Sequence, residues 1–142
     1  MALQSKQIFV NLPVKDLNKS IDFFTGIGYE FNPQFTDQNA ACLVIGENIF
    51  AMLLVEEFFQ TFTKKELTDA TRSTEVIVAL SADSKEQVDE IVNKALASGA
   101  TPSKDPVDHG FMYSWSFQDL DGHLWEFLHM DQGAVPQEEK TE

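Results

Sequence analysis

A chain of 142 residues with 43% hydrophobic side chains can fold as one compact domain, or as two small modules sharing a core, and is too short for two large independent domains. Its formal net charge of -13, and an arginine complement of Arg72 alone, exclude a phosphate-tracking nucleic-acid binder, which needs clustered basic charge. One cysteine, Cys42, permits no internal disulfide, and neither a secretory leader nor a bilayer-length apolar run is visible, so the expectation is a chain in the reducing cytoplasm with no membrane partner.

In chain order, Ile8, Val10 and Leu12 alternate with Phe9 and Asn11 at the period of a strand, and Pro13 is expected to stop it. Asp16 offers a helix N-cap, followed by Leu17, Ile21 and Phe24 at helical spacing up to Gly26 and Gly28. A strand near Tyr29 and two apolar runs, 40–45 and 49–55, complete the first pass, the last two joined as a hairpin through Gly46-Glu47-Asn48. The polar stretch 56–74 carries Phe58, Phe59 and Phe62, which suit packing over a sheet end or against a partner subunit, or a lid.

The same order then returns. Val76 to Ser81 reads as a strand, Ser84 with Gln87 forms a capping-box signature, and Val88, Ile91, Val92, Ala95 and Leu96 make a helical stripe ending at Gly99. A short edge strand is expected around Thr101, bounded by Pro102 and Pro106. Tyr113, Trp115 and Phe117 alternate with Ser114, Ser116 and Gln118, and Asp121-Gly122 turns the chain into a last strand, 124–130. Val10 aligns with Val78, Leu12 with Leu80 and Asp16 with Ser84, a duplication in order and spacing rather than in identity. The expected fold is α+β, two βαβββ modules forming a curved mixed sheet around a cleft: 1–64 the first module, 65–74 a linker, 75–132 the second module, and 133–142 a polar tail.

The strings FVNLPVKDLNKSIDFF, VIVALSADS and DLDGHLWEF resemble the vicinal oxygen chelate superfamily, which includes glyoxalase I, extradiol dioxygenases, fosfomycin-modifying enzymes and bleomycin-resistance proteins. The likeness spans Ile8 to Met130. With TDATRSTEV and DHGFMYSWSF added, the chain is similar to a bacterial branch often labelled predicted lactoylglutathione lyase. Enzymes of the superfamily hold a divalent metal with four His, Glu or Gln side chains. The resemblance places those positions at Phe9, Met52, Ile77 and Glu126, where only Glu126 is a metal donor of the type this chemistry uses. One carboxylate cannot hold a catalytic metal against water, and the arginines that bind glutathione in glyoxalase I are wanting. No metal or other cofactor is therefore expected.

Other candidates carry weaker chemistry. His123, Glu126 and His129 are three apart, but on a strand Glu126 points away from both histidines. Cys42, in an alternating apolar run, reads as a small buried hydrophobe, His109 as a loop residue, and Asp119, Asp121 and Asp131 as turn chemistry. Glu126 is the best catalytic or binding candidate, either a carboxylate in an apolar cleft or one satisfied by Asn11, Ser114 or Ser116. The expected cleft comprises Phe9, Asn11, Met52, Ile77, Ser114, Ser116 and Glu126. The leading expectation is a non-metallated small-molecule binder, followed by a drug-sequestering protein of the bleomycin-resistance kind, then a metal-dependent lyase or dioxygenase. The resemblance implies a homodimer, with Phe58, Phe59 and Phe62 suited to its interface.

Overall fold

The computed structural model describes residues 2–131 and Gly133, so the expected tail 133–142 lies, apart from Gly133, outside the described residues. Contacts divide the chain into two compact units that meet between Asp69 and Ala70. The first half of the expected linker 65–74 therefore belongs to the first unit and the second half to the second.

In the first unit, strand β1 (Ile8–Val14) leads into helix α1 (Leu17–Ile27), then β2 (Glu30–Asn32), β3 (Ala40–Gly46) and β4 (Ile49–Val55). The strands form one mixed sheet in the order β1-β4-β3-β2, with β1 parallel to β4 and the other pairs antiparallel. Asp16 is the N-cap of α1, its carboxylate accepting from Lys19 N at 3.1 Å, because the first helical N–H groups have no partner within the helix. The helix buries Leu17, Phe23, Phe24 and Ile27 against one sheet face, where Leu12, Val14, Ala41, Leu43, Ala51 and Leu53 are 0–5% exposed. Pro13 does not end β1. The strand runs on to Val14, and as the sheet's edge it accommodates a residue with no N–H to donate.

Residues 56–62, within the polar stretch that carries Phe58, Phe59 and Phe62, form a short helix α2 (Glu56–Phe59) and a 3-10 turn (Gln60–Phe62). Gln60 Nε2 donates to the carbonyls of Thr63 and Lys65 at 3.0 and 2.9 Å, folding the following chain back on the turn. Phe58 packs edge-on against Phe62, which is still 66% exposed.

The second unit repeats the plan: β5 (Ile77–Ser81), α3 (Lys85–Ala97), β6 (Thr101–Pro102), β7 (Val107–Asp108), β8 (Met112–Gln118) and β9 (Leu124–Met130). Its mixed sheet runs β5-β9-β8-β6, with β5 parallel to β9 and the two-residue β7 also paired to β8. Ser84 Oγ accepts from Gln87 N at 3.0 Å while Gln87 Oε1 accepts from Asp83 N at 2.6 Å, the reciprocal cap that the Ser-x-x-Gln spacing anticipates. Val88, Val92 and Ala95 of α3 are fully buried on the sheet face that carries Phe117, Trp125 and Phe127. Complete burial of each valine contributes roughly 1.5–3 kcal/mol of transfer free energy. Among the described residues no helix is long and apolar enough to cross a membrane.

The β8–β9 turn locks the beginning of this unit. Gly122 has φ +91°, and a methyl group there would stand 2.8 Å from the Ala70 carbonyl and from Thr71 N. Gly28, which ends α1 at φ +126°, has open space around it. Gly28→Ala is therefore expected to cost only the backbone penalty of about 1–2 kcal/mol, and Gly122→Ala distinctly more because the Ala70-Thr71 backbone must also move. Urea midpoints of the two variants read the difference, and equal losses would contradict the packing described.

Candidate functional site

A strand shows its two faces alternately, so the register of each sheet sorts its residues into a face under the helix and a face away from it. In the first unit the face away from α1 carries Phe9 and Asn11 on β1, Phe50, Met52 and Leu54 on β4, and Ala40, Cys42 and Val44 on β3. It continues to Glu30 and Asn32 on β2. Ala40, Cys42 and Leu54, toward the end from which α2 departs, are buried, whereas Phe9 and Asn11 are exposed. Phe9 and Phe50 are neighbours in register and their rings stack, with centroids 5.0 Å apart and planes 13° from parallel. Phe50 was not among the residues singled out from sequence. Its place two residues before Met52 on one strand was the available signal.

Burial raises the Cys42 thiol pKa, which disfavours the thiolate form. Its backbone N–H donates to Thr36 Oγ1 at 3.1 Å, and that hydroxyl donates to the Asn32 carbonyl at 2.7 Å.

In the second unit, Ile77 and Ala79 on β5, Leu124, Glu126 and Leu128 on β9, and Ser114 and Ser116 on β8 share the face away from α3. Glu126 stands at the sheet centre, in register with Ala79 on one side and Ser116 on the other. Its side chain is partly buried and makes no hydrogen bond or ion pair with any described residue, so the reading in which a neighbouring amide or hydroxyl satisfies it is not realised. Ser114 and Ser116 beside it are 6% and 8% exposed, and Ile77 is 56% exposed.

The structure thus brings Phe9, Asn11 and Met52 to one face of the first sheet, and Ile77, Ser114, Ser116 and Glu126 to one face of the second. His129 lies on the opposite face of β9 from Glu126, with Nδ1 3.2 Å from the Ala82 carbonyl. His109 sits in an exposed loop with its ring 6.4 Å from that of Phe111.

The four positions where the resemblance expects metal donors hold Phe9, Met52, Ile77 and Glu126. Phenylalanine and isoleucine have no lone pair, and a thioether suits neither hard nor borderline divalent ions. Among the described residues no three His, Cys, Asp or Glu side chains gather closely enough to hold an ion. The residues present do not fit the group.

Asp119 is the most connected carboxylate of the second unit. One oxygen accepts from Asp121 N and His123 N at 2.9 and 3.0 Å, and the other from the Trp125 indole N–H at 2.9 Å. Burial raises its pKa, outweighing the opposing pull of His123 and of these three N–H donors. The same carboxylate therefore builds the turn and ties it to the core through Trp125, which is 1% exposed. A turn role was legible from DLDG, but the indole bond six residues away was not. Another long-range bond, from Tyr113 Oη to Asp89 at 2.5 Å, lifts the Tyr113 pKa to about 12 and fastens β8 to α3. A further concavity of about 600 Å³ lies in the first unit between Lys15, α2 and residues 66–69, rimmed by Glu56, Glu57, Glu66 and Asp69.

Comparison with known proteins follows the fold closely. The family described as Bleomycin resistance protein-like N-terminal matches residues 6–46. A hypothetical protein from S. aureus is 31% identical, with 89% of this chain and 95% of that chain covered and a TM-score of 0.74. A glyoxalase/bleomycin resistance protein/dioxygenase family enzyme from Burkholderia phytofirmans PsJN is 19% identical over 86% of this chain and 96% of its own, with a TM-score of 0.72. The fosfomycin resistance protein FosX from Listeria monocytogenes is 25% identical over 89% and 92%, with a TM-score of 0.64. Among proteins of curated function, none matches the chain in sequence.

Asp119→Asn is expected to destabilise the protein by about 1–3 kcal/mol, because an amide cannot accept from both backbone N–H groups and from the buried indole at once. Its pH dependence has a definite sign. A carboxyl whose folded pKa is raised contributes stability in full below its unfolded value, near 4, and loses it as pH rises through the folded value. The advantage of wild type over Asp119→Asn should therefore narrow as pH climbs above about 4, an outcome readable from denaturation midpoints across pH; a widening gap would contradict it.

Proposed function

The chain belongs to the vicinal oxygen chelate superfamily of glyoxalases, bleomycin-resistance proteins and dioxygenases, and from that premise we propose that it binds a small, largely apolar molecule without a bound divalent metal, with Glu126 as the polar anchor. The observation that carries this reading is the state of Glu126: a partly buried carboxylate without a hydrogen-bonding partner among the described residues, set between Leu124 and Leu128 on the face away from α3. Its carboxylate oxygens are not sealed from solvent, so an incoming molecule can reach and pair with them. A ligand bearing a hydrogen-bond donor or a positive charge supplies that pair, while Ile77, Leu124 and Leu128 offer it apolar contact.

The donor set argues against the superfamily's metal-dependent chemistry here. With Glu126 as the single suitable donor among the four expected positions, nothing holds a Lewis acid in place to stabilise an enediolate, so a lyase or dioxygenase reading lacks its central element. Sequestration of a cationic drug is the nearer alternative. It is favoured by the net charge of -13, which attracts cations and opposes anionic adducts, and by the bleomycin-resistance match over residues 6–46. A reducing, cytoplasmic setting accords with Cys42, which is buried and forms no disulfide.

Two measurements test the proposal. Elemental analysis and calorimetric titration with nickel, zinc, manganese and iron(II) should show no stoichiometric uptake; one equivalent bound and lost in Glu126→Ala would overturn it. In a thermal-shift screen of cationic and aromatic compounds, any compound that stabilises wild type should lose at least about tenfold in affinity against Glu126→Gln, since a pairing with charge is worth roughly 1.5–3 kcal/mol. The unliganded variant should melt close to wild type, because Glu126 has no internal bond to lose.

Homodimer formation is part of the same proposal, supported by Phe62, whose ring is 66% exposed beside Phe58. Sedimentation velocity should return a dimer for wild type and a monomer for Phe62→Glu. A monomeric wild type would remove this element and leave the ligand reading untouched.

A further inference from the structure

Resting on the reading that Glu126 anchors a small molecule, we propose that Glu126, Ser114 and Ser116 form a subsite for a guanidinium group carried on a short apolar chain. Ser116 is the register partner of Glu126, and Ser114 lies two residues along β8 on the same face. Both serines are more than nine-tenths buried, at 6% and 8% exposure, and neither hydroxyl has a hydrogen-bonding partner among the described residues. Among those residues no sealed side-chain oxygen lacks a partner, so what each serine still exposes includes its hydroxyl oxygen. Hydroxyls of buried residues are usually bonded within the protein. Here two on one strand, beside a carboxylate that is also unbonded, are not.

Exposure falls across the sheet toward the serines. On this face Ile77, Ala79 and Ser81 of β5 are exposed, Leu124, Glu126 and Leu128 of β9 are partly buried, and the two serines of β8 are buried. Ala79 is the β5 register partner of Glu126 and has nothing beyond its methyl group to cover the carboxylate. A ligand therefore approaches over β5. Its chain lies on the register neighbours Ile77 and Leu124, and its polar head passes Ala79 to reach Glu126 and the hydroxyls beyond.

Charge and spacing decide the head group. Glu126 is the one ionisable side chain on this face of the strands, with no lysine, arginine or histidine beside it to hold an anion, and the whole chain carries -13. Two residues apart on one strand, the serines begin about 6.6 Å from each other. A single ammonium nitrogen, bonding at about 2.9 Å, spans no more than about 6 Å between two acceptors, which suits the carboxylate and one serine but not both serines. A guanidinium spreads five N–H donors over a plane. One edge donates to both carboxylate oxygens of Glu126, and the remaining N–H groups donate to the two hydroxyls.

The test titrates butylguanidinium, butylammonium and butylurea into the full chain at physiological salt, with affinity and location read from backbone amide shifts by NMR. Butylammonium has the charge without the planar fork, and butylurea has the planar shape without the charge. Wild type should bind butylguanidinium at least tenfold more tightly than either, with the amides of Ser114, Ser116 and Glu126 shifting. The double variant Ser114→Ala with Ser116→Ala should lose at least tenfold in affinity for butylguanidinium and little for butylammonium. Because neither hydroxyl has an internal bond to lose, that variant should melt no lower than wild type; should it fail to fold, the comparison of the three compounds on wild type decides alone. Butylguanidinium held no more tightly than butylammonium, binding unchanged in the serine variant, or no binding to wild type overturns the subsite. A cation whose affinity falls in Glu126→Gln but not in the serine variant overturns the guanidinium subsite alone and leaves the Glu126 reading standing. Metal uptake lost in Glu126→Ala overturns that reading and the subsite together.

Discussion

A β-sheet has two faces, and each half of this chain supplies one long helix to cover one of them. That inequality governs the rest of the structure. The covered faces hold the residues that make the fold stable, Leu43 and Leu53 under α1 in the first unit and Phe117, Trp125 and Phe127 under α3 in the second, all 0–1% exposed. The opposite faces are left with side chains that the fold does not consume: Phe9, Asn11 and Ile77 in the open, and Glu126 without a hydrogen-bonding partner among the described residues. Because strand side chains alternate, every residue committed to a core fixes its neighbour on the other face. The set of uncovered side chains is in this sense the complement of the hydrophobic core.

Such an arrangement holds only if register holds. A slip of one residue between β8 and β9 would carry Glu126 beneath α3, among Val88 and Val92, and expose Trp125. The Asp119 carboxylate prevents this from two directions. It closes the turn through the N–H groups of Asp121 and His123, and it reaches two residues into β9 to hold the Trp125 indole. Gly122 adds a steric limit, since the Ala70-Thr71 backbone lies where a side chain would begin. The DLDGHLW segment is therefore chiefly a register device, and Glu126 sits one residue beyond the part that does that work.

Much of this was legible in the sequence because the physics is local. Alternation in 8–12 and 113–117, the Asp16 and Ser84 caps, and the Val88, Val92 and Ala95 stripe each specify structure from neighbours within one or two turns. Pro13 misled because proline's effect depends on whether its strand is central or at an edge, which is settled by β4, some forty residues away. The α2 turn was hidden because its phenylalanines have no helical stripe long enough to show periodicity. On the uncovered faces, the side on which Phe9, Met52 and Glu126 fall follows from period-two counting. Phe50 as partner to Phe9 does not, since it requires the parallel register of β1 with β4. The Trp125–Asp119 and Tyr113–Asp89 bonds belong to the same class of long-range fact.

The positions where the superfamily's enzymes place metal donors also explain why an apolar substitution there is not simply a loss. A metal site demands several anionic or imidazole ligands converging on one point, and the fold must hold them against mutual repulsion and the cost of dehydration. Replacing a donor with phenylalanine removes that demand and leaves a ring on a surface already open to solvent. At Phe9 the ring finds a second one and stacks, so the position gains a flat, weakly negative face where coordination chemistry would need a lone pair. At Glu126 alone of the four positions a donor side chain remains, at the centre of the second sheet on the face away from α3.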